Sequence, residues 1–472
     1  MLQKTAFDSR SLTPILAVIL LTFIGGMLLA KISVGIAFMM IGGIILAVVC
    51  FMNPEIGLYV LICAMLLGPQ FGLGDATGES VRGRGVTLRL DDVLLVIIGF
   101  SWFLSTAINK ERGLFLKTPL NRYIAYYFLA CLVSTLIGYM MQRVKGIAGI
   151  LFVLKYFEYF IVYFMAVNYL KEKKQMERLT STILIVCLIV CLIAIAQIPS
   201  GGRVSAPFEG KVGEPNTLGG YLVLMLSLVL GLLYSNYGTT KRKFFFGGLV
   251  FLILIALAAT LSRSSWLALG PMLLALIYFS NRKLVVIIPL IFVIAIAAFL
   301  LPPGVKARAM FTFSQPLEQG QLKVGGLRVD TSTSARLQSW KNVLERDFIK
   351  EPLLGHGVTG YTFLDAQYPR ILAETGLIGF ISFAALLVAI YRNALRTRRQ
   401  YAADPFYLGV STGFVAGFFA MIVHAIGANT FIIVRIMEPF WFLTAIVIMI
   451  PRIEPVVQQD SSETIQRLKH PL

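Results

Sequence analysis

The sequence predicts an all-α polytopic membrane protein, with about 12–14 transmembrane helices and one large extracytoplasmic loop carrying short helices. Three observations carry that prediction. First, 57% of the 472 residues are hydrophobic and only 14% are charged, whereas soluble domains sit near 25% charged. Mean hydropathy is +0.79. Second, apolar runs approaching the 20 or so residues needed to cross a 30 Å hydrocarbon core recur along the whole chain. Third, these runs are uniform blocks rather than alternating strands, which excludes an outer-membrane barrel.

In chain order the runs fall near 13–30, 33–51, 56–71, 93–108, 123–141, 147–170 and 179–198. They continue near 218–234, 244–259, 264–279, 284–301, 377–390, 406–426 and 431–450. The third is short and contains Gly and Pro. The first comes after Lys4 and Arg10 and reads on into the second after Lys31. It has no small-residue cleavage site, so it is expected to stay as an anchor. All five cysteines lie inside apolar runs without metal or disulfide spacing, which is the pattern of soft packing residues. No metal site is expected.

The net charge of +18 is that of a membrane protein with basic loops, not of a nucleic-acid binder. NKERGLFLKTPLNR, KEKKQMER, TTKRK, NRK and RNALRTRRQ are the densest basic stretches, and all fall in alternate loops. Basic loops stay cytoplasmic, so both termini are expected inside. The tail 451–472 is polar and expected to be loosely ordered. One loop on the other side, after Leu301, runs for roughly 70 residues, too long for a connector. Within it, STSARLQSWKNVLERDFIKEP places Leu337, Trp340, Leu344 and Phe348 at helical spacing. Thr333 or Ser332 is the expected cap, and Pro352 the stop. The expected division is a bundle of about 11 spans over 1–302, the loop 303–372, about three spans over 373–450, and the tail.

Charges at membrane depth need reasons. Lys155 and Glu158, three residues apart, read first as a mutual ion pair and second as substrate contacts. Arg435 and Glu438 repeat that spacing near the outer end of the last run, after His424 and Asn429. A lone histidine there is more often structural than catalytic. Three extracytoplasmic stretches are richer. GRVSAPFEGKVGEPNTLGGYL carries Arg203, Lys211 and Asn216, the last a natural helix cap. TLSRSSWLALG sets Arg263 between two apolar runs, either snorkelling or placed to grip a phosphate. The long loop carries VDTSTSARLQSW, PLLGHGVTGY and DAQYPRILAETG.

Together these stretches resemble the O-antigen ligase and O-antigen polymerase superfamily of bacterial envelope polysaccharide assembly. The resemblance runs from about Gly146 onward. It rests on the order of an EGKVGEPNTLGGYL-type block, an SRSSWL-type block, and a large loop. That loop holds Asp330, Ser334, Arg336 and Trp340, a PLLGHG-type turn, and ILAETGLIGF leading into the next helix.

The resemblance implies a periplasmic-facing glycosyltransferase of the bacterial inner membrane, with both termini cytoplasmic and the large loop periplasmic. The donor it implies is a glycan on undecaprenyl pyrophosphate and the acceptor is a glycan or lipid hydroxyl. Membrane lipid and other polysaccharide-assembly proteins are the further expected partners. No cofactor, metal or nucleic acid is expected. Arg263 and Arg336 are the expected stabilisers of the leaving pyrophosphate. Arg203, Asn216, Trp340, Tyr368, Arg370 and Arg435 are expected substrate contacts.

Many members carry a histidine, often His-Asn, just before the helix after the loop. This chain has Asp365-Ala366 there, and His356 lies upstream in the glycine turn. Asp365 is therefore the candidate base, or else a cap for the entering helix, with Glu374 as second candidate. Absence of the histidine pattern leans the reading toward polymerase or exopolysaccharide assembly over ligase. The alternative class is a transporter or flippase of lipid-linked glycan, against which stands the absence of an internal repeat. A third is a non-catalytic scaffold.

Overall fold

The computed structural model describes residues 34–71, 88–108, 116–144, 148–208, 213–279, 323–324, 327–328 and 331–455. The runs near 13–30 and 284–301, Lys211, Asp330 and the tail after 455 lie outside them.

Every other predicted run is a helix. They are α1 (Val34–Met52), α2 (Pro54–Leu67), α3 (Leu90–Ile108), α4 (Asn121–Met140), α5 (Ala148–Tyr169) and α6 (Lys173–Ala196). Then come α7 (Pro215–Tyr234), α8 (Thr240–Thr260) and α9 (Arg263–Phe279). After the loop helix α10 (Thr331–Asn342) come α11 (Gln367–Gln400), α12 (Pro405–Gly427) and α13 (Val434–Ile453). Among the described residues, nine helices are long and apolar enough to cross a membrane, and three apolar helices are shorter. The only strands described are two two-residue hairpins, Gln70–Phe71 with Leu88–Arg89 and Lys323–Val324 with Leu327–Arg328. The chain is an all-α polytopic membrane protein.

Local chemistry sets the helix starts. Asn53-Pro54 opens α2, with the Asn53 side chain accepting from Glu55 N at 3.2 Å. Asp404-Pro405 opens α12, with Asp404 accepting from Phe406 N and Tyr407 N at 3.0 Å. Proline fits the first helical position because its missing N–H has no partner there anyway. That rule moves the cap of α7 to Glu214, ahead of Pro215. Asn216 is therefore not the cap expected for it; it lies in the first turn, with its side chain free to face another helix.

The centre of the bundle is α7, buried almost throughout and packed on α12, which also packs against α9. Glycines permit the approach: a Cβ on Gly231 would lie 2.4 Å from Gly409 O. Small residues at such seams let transmembrane backbones come close. α13 packs on α5, and α11 on α4. Because the helices alternate in direction, the hairpin at 70–71, the segment 197–208, the loop helix and the α12–α13 corner all gather at one end. KEKKQMER, TTKRK and RNALRTRRQ gather at the other.

The loop helix differs from its expected form. It starts at Thr331 and passes at Val343–Asp347 through one π-helical turn before a last turn at Phe348–Lys350. The extra residue of a π turn rotates the downstream side chains about the helix axis. Val343 packs onto Leu364 and Ala373, while Leu337 (39% exposed) and Leu344 (46%) face outward. Of the predicted apolar stripe, Leu337 and Leu344 are on the outside and Trp340 and Phe348 are half-buried.

Candidate active site

The site is built around a break in α11. At 34 residues this helix is too long for one straight span, and it is broken at Gly376 (φ 63°, ψ −162°). Only glycine adopts that region without strain. The break frees backbone groups that lipid cannot satisfy, and the PLLGHG turn meets them. Leu377 N donates to Pro352 O at 2.8 Å and Ile378 N to Leu353 O at 3.2 Å. In return, His356 N donates to Ala373 O at 2.9 Å and Gly357 N to Glu374 O at 2.8 Å. Ser134 of α4 donates to the same Glu374 carbonyl at 2.7 Å. His356 stays in this turn, its Nδ1 3.1 Å from Ala373 O.

Just before the break, the Glu374 carboxylate accepts from Arg370 Nε at 3.1 Å and from Thr359 N at 3.3 Å. Arg370 also donates to the Tyr156 hydroxyl of α5 at 3.3 Å. Both charged residues are buried. A buried pair with these extra bonds holds its elements in one arrangement, so Arg370 and Glu374 brace the helix mouth from inside.

The outer lip is different. Arg336 of α10 meets Asp365 at 2.9 Å, with the Asp365 side chain 44% exposed and Arg336 21%. Asp365 does not cap α11: the cap is Ala366, and no side chain bonds the first turn. Trp340 lies against Tyr368, ring centroids 6.3 Å apart, and the Tyr368 hydroxyl donates to Ile422 O at 2.6 Å. The α12–α13 corner closes the lip through Asn429 Nδ2 to Leu364 O at 2.7 Å and Phe431 N to Gln367 Oε1 at 3.0 Å.

Beneath the lip runs a buried polar relay. Ser262 donates to Asn216 Oδ1 at 2.8 Å and lies 2.7 Å from Ser265 Oγ. Ser265 Oγ is 3.0 Å from His424 Nε2, and His424 Nδ1 is 2.7 Å from Thr430 Oγ1. Three helix ends, α7, α9 and α12, are thereby tied at the turn that carries Arg263. Arg336 lies within electrostatic reach of His424, which the relay ties to the Arg263 turn. Arg203 reaches the same turn, donating to Thr260 O at 3.1 Å and Leu261 O at 3.3 Å.

Residues 248–384 match the family model described as O-antigen ligase. The match supports the resemblance of this part of the chain to the O-antigen ligase and polymerase superfamily. No curated protein matches the chain. The O-antigen ligase segment contains Arg263, the loop helix, the PLLGHG turn, Asp365, Arg370 and Glu374. Arg203, Asn216, His424 and Arg435 lie outside it and reach it only through folding.

Arg435, 1% exposed, occupies a separate position. Its guanidinium donates to Pro207 O at 2.6 Å, Gly68 O at 3.0 Å and Leu66 O at 3.5 Å, fastening two extramembrane turns to α13. Beside it is a charged cluster that corrects one expectation: Lys155 pairs with Asp92 of α3 at 2.8 Å, not with Glu158. Arg89 lies 3.1 Å from Asp91. The turn from Arg89 into α3 delivers both aspartates against α5, a partner that spacing along α5 cannot reveal. Carboxylate oxygens of Asp91, Asp92 and Glu158 lie within 4.8 Å of one another, close enough to hold a cation. Lys155 and Arg89 stand there as counter-charges, so an ion network accounts for the cluster.

His424 and the serine relay are what residue-by-residue reading misses. Their signal was Gly219-Gly220 in PNTLGGYL: a Cβ on Gly219 would lie 2.2 Å from Ser265 Oγ, and one on Gly220 3.0 Å from His424 Cε1. Gly219→Ala is expected to push α7 off α9 at a cost of about 1–3 kcal/mol. Thermal unfolding of the purified variant checks this, and an unshifted midpoint would show that the seam has slack.

Proposed function

We propose that this protein is a periplasmic-facing glycosyltransferase of the bacterial inner membrane. It moves a glycan from undecaprenyl pyrophosphate to an acceptor hydroxyl in O-antigen or exopolysaccharide assembly. The observation that supports this reading most is the partly exposed Arg336–Asp365 pair at the mouth of α11.

The chemistry arises from those groups. The acceptor oxygen attacks the anomeric carbon, and the bond from that carbon to the pyrophosphate oxygen breaks. Negative charge grows on the leaving diphosphate, where the guanidiniums of Arg336 and Arg263 stabilise it electrostatically. The acceptor proton passes to the Asp365 carboxylate and then to solvent. Donor phosphates compete with Asp365 for Arg336, so donor binding itself frees the carboxylate for the proton. Outward-facing Leu337 and Leu344 rest against the bilayer from which the lipid donor comes. Arg203 steadies the Arg263 turn, Trp340 and Tyr368 line the approach, and Arg370 with Glu374 keeps the mouth in shape.

Purified protein, lipid-linked oligosaccharide and candidate acceptors test the reading. Growth of glycan on the polyprenyl lipid supports polymerase, and transfer to lipid A–core supports ligase. Movement of lipid-linked glycan across liposomes without any transfer product would establish the transporter alternative instead. Sidedness has its own check: a single cysteine at Leu337 is expected to react with an impermeant maleimide added outside intact spheroplasts. Labelling only after lysis would turn the site to the cytosol and end the proposal.

A further inference from the structure

At the end of the bundle opposite Asp365, the start of α4 and the last third of α11 enclose an open cavity of about 560 Å³. Its wall includes Lys117, Arg122, Arg392 and Arg396, together with Asn121 and Asn393, and it contains no carboxylate. Among the described residues none of the four cations is in an ion pair. Arg392 and Arg396 are one helical turn apart on the same face, a like-charge spacing that destabilises a helix by itself. Arg122 is held in place over the Tyr123 ring at 4.8 Å, its Nη2 2.9 Å from the Tyr123 hydroxyl. Arg452 of α13 donates to the Lys117 carbonyl, fixing the chain segment that brings Lys117 to the wall.

Four cations collected around one recess, with no carboxylate in its wall among the described residues, favour an anion, and guanidinium pairs favour phosphate geometry. We propose that this cavity binds the phosphate of an anionic phospholipid headgroup. The flanks identify the source as lipid. Below the recess α4 and α11 lie side by side, with Tyr127 and Phe383 rings 5.4 Å apart. Leu129 and Val133 on α4 and Ile381 and Val388 on α11 are exposed on the outward faces of the same two helices. Such a surface accepts acyl chains beneath a headgroup held at the membrane interface. Basic pockets between transmembrane helices at this level recognise anionic headgroups. The site is remote from the glycan-transfer residues, so it stands or falls separately from the proposed activity.

The test is thermal unfolding of the full chain in detergent with added phosphatidylglycerol, phosphatidylcholine or inorganic phosphate. Phosphatidylglycerol is expected to raise the midpoint by several degrees, phosphatidylcholine to leave it unchanged, and R392Q/R396Q to remove most of the rise. Both side chains are exposed, so the double variant is expected to fold and to keep wild-type glycan transfer. Equal shifts by the two lipids, or a full shift in the double variant, would overturn the site. A shift of the same size with inorganic phosphate alone would overturn the lipid assignment and make the ligand a free anion.

Discussion

Arg336→Ala is expected to lower kcat for glycan transfer by about 100-fold or more, the usual effect of removing one preorganised charge-stabilising donor. KM for the lipid-linked donor should change less, because charge on the diphosphate is greatest in the transition state. Arg336→Lys should recover only part of the loss, since an ammonium keeps the charge but not the planar fork. Asp365→Asn gives the complementary result: turnover falls while donor binding persists. Both variants sit at a partly exposed lip, where folding is not at stake. Steady-state kinetics with lipid-linked oligosaccharide separates the outcomes. Wild-type kcat in Arg336→Ala would remove this arginine from the chemistry, and a rise in KM alone would make it a general binding contact.

Gly376→Ala is expected to be the most damaging single substitution away from the lip. The backbone there (φ 63°, ψ −162°) lies in a region that costs a side-chain-bearing residue about 1–3 kcal/mol. The added Cβ would stand 2.4 Å from both the carbonyl carbon and the oxygen of Leu353, which are backbone atoms with little room to yield. The PLLGHG turn has to move, and with it the partners of Ala373 O, Glu374 O, Leu377 N and Ile378 N. A total loss of about 3 kcal/mol or more results from the strain and the orphaned backbone groups together. The expected signs are a lowered unfolding midpoint, new proteolysis between residues 352 and 360, and no glycan transfer. Gly270→Ala is the control: nothing lies within 4 Å of its Cβ position, so it should be harmless. A Gly376→Ala protein as stable and active as wild type would mean that the break is not required.

Much of the molecule can be read without coordinates. Each described helix that crosses the bundle coincides with an apolar run, because hydropathy over about 20 residues is a local property that lipid reads directly. Asn53-Pro54 and Asp404-Pro405 announce helix starts for equally local reasons. Arg263, Arg336 and Asp365 are visible as charges displaced from the basic loops. Local rules fail where one residue changes the role or direction of its neighbours. Pro215 displaces Asn216 from the cap, and in the loop helix Val343 rather than Leu344 is the buried residue.

Partnership is the part that local rules do not reach. Lys155 has a carboxylate three residues away and pairs instead with Asp92, 63 positions distant. His424 looks like an isolated histidine until α9 brings Ser265 to it from 159 positions away. Arg435 looks like an outer-surface charge until the turns at Gly68 and Pro207 close over it. A buried charge takes whichever partner best offsets its desolvation, and that choice depends on which helix ends meet. The sequence by itself therefore determined a bundle of membrane-crossing helices with charged and polar candidates set in the turns between them. Only the tertiary structure decided which of those side chains stand at an open lip and which are buried in the bundle. The physical reason is range: burial in lipid is settled within one helix, whereas hydrogen bonds and ion pairs are settled by contacts across many.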